Sequence, residues 1–371
     1  MRIAAIDGLR GIAIFGVIWH HLAGEFWNTP IHLGGIHLAN NPFAANGWMG
    51  VNLFFFLSGF VLYLPYASGR RKMVSRADAV SFLLHRAQRL LPLFYLSLIV
   101  GFIFMARLNE PETWRNFAAS LTLVFPFYGP AFAPPGNWLL WSLGTEIYFS
   151  LAMPLVLVAI AQFGIFRVVG AALIFAFSVR VLGFALQPPS NSHINSLCDS
   201  IFGRIDDFTL GMFAGWLYVR RISLPSACVP VGIAALLAAP VLSDFWYAEQ
   251  IPGWTQAITY TLVNVGLLFC TNALLLRSEV ISRCLSIDLL RWPGIMCFSI
   301  YVWHGIVVRM FQAQFPMDNW PGGGPVWPIG LCIATIGLLA VVSFAFIEFP
   351  GQSLRKLLAR DATETRPAQA H

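Results

Sequence analysis

The sequence predicts an all-α integral membrane protein, a polytopic bundle of about ten transmembrane helices with both termini cytoplasmic. Three observations predict it. Of 371 residues, 57% are hydrophobic and only 11% charged, with a mean hydropathy of +0.69, whereas soluble domains carry roughly 25% charged residues. Apolar runs long enough to cross a bilayer recur along nearly the whole chain. Lysine and arginine collect in alternate connections between those runs, as the positive-inside rule requires.

The runs cover residues 9–27, 49–67, 88–107, 138–161, 166–186, 207–219, 228–243, 255–276, 293–313 and 326–348. The sixth and seventh are short. Residues 109–137 contain an apolar stretch, Leu121 to Phe127, but Pro126, Pro130, Pro134 and Pro135 crowd its end. This stretch reads as re-entrant or interfacial, because proline deprives a helix of backbone hydrogen bonds.

Arg70, Arg71, Lys72, Arg76, Arg86 and Arg89 lie between or beside the second and third runs. Arg220 and Arg221 follow the sixth, Arg277, Arg283 and Arg291 precede the ninth, and Arg355, Lys356 and Arg360 follow the last. All fall on one side if the N-terminus is cytoplasmic, leaving Arg107, Arg115, Arg204 and Arg309 opposite. A full crossing at 109–137 would put the later basic loops on the wrong side.

Thirteen Trp and thirty-two Phe suit interfacial belts and a lipid-facing surface. The net charge of +6 is spread over small clusters between apolar runs, so it indicates a bilayer as partner and no nucleic acid. Six cysteines, Cys198, Cys228, Cys270, Cys284, Cys297 and Cys332, show neither CxxC nor metal-ligand spacing. They read as small buried hydrophobes, and no metal is expected. Asp7 and Arg10 interrupt the start, and no small-x-small cleavage site follows, so a signal peptide is not expected. One membrane domain over 1–355 and a short, disordered cytoplasmic tail over 356–371 are expected, without an appended soluble enzyme.

The chemistry starts in the first run. Arg10 and His21 are eleven residues apart, which on a helix is about 16 Å of rise and about 20° of rotation. They share one face, whereas His20 falls roughly 80° away. A mid-membrane arginine costs about 2.5–3.5 kcal/mol on insertion scales, so such a stripe points to a site. Arg86 and Arg89, at i,i+3, form a fork suited to phosphate oxygens, although ordinary positive-inside anchoring also accounts for them. With Arg10 near the same face, three arginines suggest one cytoplasmic pocket for an anionic, phosphorylated ligand.

In the second run, Asn52, Ser58 and the glycines read as close-packing residues, Asn52 being the one with a further role in view. Ser142 and Glu146, at i,i+4 after Trp141, face the same way. Glu146 reads either as a buried partner for an arginine or as a group orienting a histidine. Arg204, Asp206 and Asp207 sit together where the chain re-enters the membrane, and surface pairing is expected to account for at least one of the aspartates. Ser299, Tyr301 and His304 place a second intramembrane histidine in the ninth run, and Glu348 closes the last near basic loop residues. No G-x-S-x-G elbow, P-loop, H-E-x-x-H or dinucleotide turn occurs in a usable context.

Together these segments resemble the membrane-bound acyltransferase-3 family of bacterial O-acyltransferases. The resemblance rests on Arg10 with His21, Arg86-x-x-Arg89 before Pro92, Trp141-Ser142-Leu143 with Glu146, Ser299-x-Tyr301-x-x-His304 and Glu348-x-Pro350, and covers residues 5 to about 355. It implies acyl-CoA, by default acetyl-CoA, as cytoplasmic co-substrate, and a hydroxyl of a cell-surface glycan, glycolipid or lipid-linked molecule as acceptor. It implies that Arg10, Arg86 and Arg89 hold the coenzyme's phosphates, that His21 takes the acceptor's proton, and that Glu146 polarises a group in the channel. His20, Asn52, Trp141, Ser142, Tyr301 and His304 support them. Some relatives carry a fused extracytoplasmic esterase-like domain; here a separate extracytoplasmic helper protein is expected instead. His32 and His37 in the first outer loop have no acid beside them and receive no role. The location implied is the bacterial inner membrane. The alternative is a polytopic transporter or flippase of a lipid-linked or anionic substrate, whose usual signs, inverted repeats and paired broken helices, are not evident.

Overall fold

A computed structural model describes residues 3–23, 31–33, 36–38, 46–186, 194–315 and 327–350. The chain begins with α1 (Ala4–Ala23), a small antiparallel ribbon β1 (Ile31–Leu33) and β2 (Ile36–Leu38) with His32 opposite His37, α2 (Met49–Ala67) and α3 (Arg76–Met105). There follow α4 (Pro111–Leu121), α5 (Leu140–Phe163), α6 (Ile165–Leu186), α7 (Ile201–Val219), α8 (Cys228–Tyr247) and α9 (Thr255–Leu276). The chain continues through α10 (Glu279–Leu285), α11 (Asp288–Ile295), α12 (Cys297–Gln314) and α13 (Trp327–Ser343), which runs on as a π-helical turn, Phe344–Glu348. The ribbon is the one departure from an all-α chain among the described residues.

Seven of these helices are long and apolar enough to cross a membrane, or eight when α11 and α12, bent by 75° at their junction, count as one span. That is the make-up of a multi-pass membrane protein. The long helices outside this set, α1 and α7, carry ionisable residues, Asp7, Arg10, His20 and His21 in one and Arg204, Asp206 and Asp207 in the other. Leu155, Ile174 and Phe346 are among many large side chains pointing outward, as expected where the surrounding medium is apolar.

Several boundaries differ from the hydropathy reading, each for a local reason. Apolar runs locate the greasy part of a helix, whereas caps set its ends. Thus α3 starts at Arg76 and not near 88, because Ser75 and Asp78 form a capping box: the Asp78 amide donates to Ser75 Oγ (3.2 Å) and the Ser75 amide to Asp78 Oδ2 (2.9 Å). Arg86 and Arg89 are therefore set in a continuous helix. Helix α1 starts at Ala4 and α7 at Ile201, both earlier than hydropathy suggested, since their first turns hold charges. The ninth run is broken at Met296, between α11 and α12. Helix α4 has 11 residues, well short of the ~20 a span needs, and is followed by two 3₁₀ turns, Phe125–Phe127 and Gly129–Ala131.

Two close approaches set the helix positions around the site. Helices α2 and α7 run parallel in backbone contact: a Cβ on Gly59 would meet the Phe208 carbonyl, and one on Gly211 the Phe56 carbonyl, the small-residue packing of membrane helices. The start of α1 is embraced by α10 and α11, where Gly8 faces the Leu285 carbonyl and Gly294 faces that of Asp7. This second contact brings the α11–α12 bend beside Arg10.

The bundle is also tied by a buried ion network, which corrects the surface-pairing expectation for Arg204, Asp206 and Asp207. All three are at most 2% exposed. Arg180 of α6 binds Asp206 (2.6 Å), and Arg204 binds Asp199 (2.6 Å) and reaches Asp207 (3.5 Å). Asn264 of α9 donates to both Asp206 and Asp207, and Asn52 of α2 to Asp207 (3.4 Å). The Arg204 guanidinium lies 4.1 Å from the Tyr260 ring centroid and 5.9 Å from that of Trp141. Breaking a buried pair strands a charge at a cost of roughly 3–5 kcal/mol.

Two stability outcomes follow, measured as thermal unfolding in detergent. Arg180→Met lowers the midpoint sharply, and Asp206→Asn added to it restores most of the loss. Gly211→Ala destabilises by about 1–3 kcal/mol through overpacking, whereas Gly170→Ala, where a Cβ meets nothing within 4 Å, is neutral or slightly stabilising.

Candidate active site

A partly open cavity lies between α1, α2, α3, α5 and the α11–α12 bend. Arg10, Arg86 and Arg89 line it together with Ser58, Ser142, Glu146, Cys297 and Tyr301. The three arginines come from two helices whose starts are fixed by the α10–α11 embrace and the Ser75 cap. Helix α12 begins at the cavity with Cys297 and Phe298 and has no side-chain cap, so its positive dipole end adds to the arginines.

The arginines are not equivalent. Arg86 is buried and committed: its Nη2 donates to Glu146 Oε1 at 2.6 Å and its Nε to Ser150 Oγ at 3.0 Å, while Ser58 donates to the same Glu146 oxygen at 3.1 Å. Arg10 and Arg89 have looser carboxylate neighbours, Asp7 at 3.8 Å and Glu348 at 3.7 Å, beyond hydrogen-bond reach. Their side chains are 20% and 42% exposed. Glu348 is itself held by Ser299 Oγ (2.8 Å), and Phe349 lies under the Arg89 guanidinium. Of the two roles open for Glu146, pairing an arginine is the one it fills.

At the inner end of the cavity, Ser142 donates to the Tyr301 hydroxyl (2.6 Å), which donates to the Leu139 carbonyl (3.1 Å). Behind Tyr301 stands His304, fully buried, with Nδ1 2.6 Å from the Tyr301 carbonyl. A carbonyl only accepts, so Nδ1 carries the proton and Nε2 presents a lone pair; Nε2 has no hydrogen-bond partner among the described residues. The His304 ring is 5.3 Å from that of His21, which contacts Trp138 edge-on at 4.8 Å and His20 at 4.9 Å. The structure thus brings the predicted residues into two groups along α1: arginines with Glu146 at one end, histidines at the other, and Tyr301 with Ser142 between. Two predicted residues stand outside both. Asn52 and Trp141 belong to the ion network, Trp141 packing between Phe55, Phe132 and Arg204.

Sequence reading passed over Ser150, which fixes Arg86, and Arg180, which fixes Asp206. Arg180 left a signal, as a charge deep in an apolar helix whose other charge, Arg167, sits in its first turn. Ser150 left none, since serine is an ordinary packing residue in membrane helices. Among the described residues no group of three or more His, Cys, Asp or Glu could hold a metal ion.

A family model described as an acyltransferase domain matches residues 3–346. Among curated proteins the chain is similar to the peptidoglycan O-acetyltransferase OatA of Listeria monocytogenes, 23% identical over 94% of this chain and 55% of that protein. It is similarly related to the O-acetyltransferase OatA of Staphylococcus aureus, 23% identical over 93% of this chain and 56% of that one. The chain therefore spans about half the length of these relatives. No solved structure matches it. With nearly the whole chain covered by the family model, the chain belongs to the acyltransferase-3 family.

Proposed function

We propose that this protein moves an acyl group, by default acetyl, from cytoplasmic acyl-CoA to a hydroxyl of a cell-envelope glycan, with His21 as general base. The observation that carries the reading is the cavity that joins Arg10, Arg86 and Arg89 to Tyr301, with His304 and His21 directly behind. The donor fits the residues present: Arg10 and Arg89, loosely paired and partly exposed, are available to phosphate oxygens, and the α12 start adds a dipole. Arg86 contributes charge while locking Glu146. The peptidoglycan named for the Listeria relative supports a cell-wall glycan as acceptor.

In this account both termini are cytoplasmic, ten helices span the bacterial inner membrane, and the catalytic unit covers 1–355; residues 351–371, including the expected tail from 356, lie outside the described residues. The arginines hold the donor's phosphates at the cytoplasmic end and the thioester extends past Tyr301 and Ser142. His21 takes the proton as the acceptor oxygen attacks the thioester carbonyl, and that proton passes to the departing thiolate. His304, its Nδ1 fixed by the Tyr301 carbonyl, presents an acceptor nitrogen beside His21 and supports it, with His20 packing alongside. A separate extracytoplasmic partner for acceptor delivery belongs to the same proposal.

Purified protein with labelled acetyl-CoA and a glycan acceptor tests the assignment. His21→Ala lowers kcat about 10²–10⁴-fold, the usual contribution of a general base, while coenzyme A binding is unchanged; full transfer by this variant sinks the base. Arg89→Ala weakens acetyl-CoA binding about tenfold, the loss of roughly one charge-assisted hydrogen bond, with little loss of stability. Arg86→Ala behaves differently: it strands Glu146 and lowers the unfolding midpoint as well. Equal effects of Arg86→Ala and Arg89→Ala on stability contradict the division of roles.

A further inference from the structure

Arg309 lies within the histidine group and has no part in the donor site. It sits on α12 five residues beyond His304, is exposed, and its guanidinium stands 5.6 Å from the centroid of the Trp138 ring. That same indole touches His21 edge-on at 4.8 Å. One helical turn further along, Gln312 donates to the His21 backbone carbonyl at 3.5 Å. The end of α12 is thereby tied to the end of α1, and Arg309 is held one indole away from the proposed base.

We infer that Arg309, fixed by Trp138 beside His21, recognises an anionic group on the acceptor, so that the acceptor is an acidic glycan. This rests on the acyltransferase reading and names the acceptor class for the same site. Two observations beyond position support it. Most basic residues between the apolar runs fall on the Arg10 side, and Arg309 is one of the few, with Arg107, Arg115 and Arg204, that fall on the other. Arginine is also a donor-only group whose planar fork matches a carboxylate or phosphate. A physical consequence accompanies the placement. When His21 takes the acceptor's proton, its new charge faces Arg309 across one ring. An anion brought by the acceptor offsets that repulsion, so the acidic substituent assists proton removal as well as binding. Arg309 is a specificity-determining residue in this account, with Trp138 as its positioning residue.

The test is transfer from acetyl-CoA by the full chain in proteoliposomes to two probes that differ only in charge. One is the peptidoglycan disaccharide with its lactyl carboxylate free, and the other is its methyl ester. Wild type is expected to favour the free acid in kcat/KM by about tenfold, one charge-assisted contact. Arg309→Gln brings the ratio to near one by lowering transfer to the acid alone, Arg309→Lys keeps most of the preference, and coenzyme A binding is unchanged in both. Equal use of the two probes by wild type, or a preference that survives in Arg309→Gln, overturns the inference and leaves the acyltransferase reading standing. Transfer to neither probe by wild type overturns both.

Discussion

Charge neutralisation inside an apolar bundle is the constraint on which this structure depends. A guanidinium or carboxylate removed from water needs a partner, and the partner must be close and hydrogen-bonded to offset its desolvation. Arg180 with Asp206, Arg204 with Asp199, and Arg86 with Glu146 meet that condition at 2.6 Å. The first two pairs, with Asn264 and Asn52 bonded to Asp206 and Asp207, tie α6, α7, α9 and α2 together, and the third ties α3 to α5. What they leave is as informative as what they bind. Arg10 and Arg89 keep their carboxylates at arm's length, and His304 Nε2 has no hydrogen-bond partner among the described residues. The groups whose needs are met build the scaffold, and those whose needs are met poorly face the cavity and the histidine cluster.

The second organising element is α1, a ruler about 16 Å long between Arg10 and His21. Its position is set by backbone-close contacts: Gly8 against Leu285 and Gly294 against the Asp7 carbonyl at one end, Gly47 against the chain around Gly16 and His20 at the other. Because both ends are wedged, the separation between Arg10 and His21 is a fixed length. The break between α11 and α12 serves the same geometry. It delivers a helix start to the arginine end while carrying Tyr301 and His304 up to the histidine end.

Much of this was legible in the sequence, and the unread parts share causes. Arg10 and His21 were readable because helical spacing is arithmetic, and Arg86-x-x-Arg89 because charges stand out in apolar text. The position of Glu146 was readable but its partner was not, since i,i+4 spacing says which way a side chain faces and nothing about the neighbouring helix. Arg204, Asp206 and Asp207 misled for the same reason: a charge cluster near the edge of an apolar run looks solvated until Arg180 and Asn264, from helices distant in sequence, are seen against it. Hydropathy placed the start of α3 twelve residues late because a capping box is a local polar signal that an apolar window averages away.

The central claim is that the arginine-lined cavity is the donor site, and Cys297 on its wall reports on it directly. The measurement is the rate at which a small methanethiosulfonate labels Cys297, read by mass spectrometry with and without coenzyme A, with exposed Cys284 as internal reference. The account predicts that saturating coenzyme A protects Cys297 and leaves Cys284 unaffected, and that the protection disappears in Arg10→Ala/Arg89→Ala. Labelling of Cys297 that coenzyme A does not slow in the wild-type protein would contradict it.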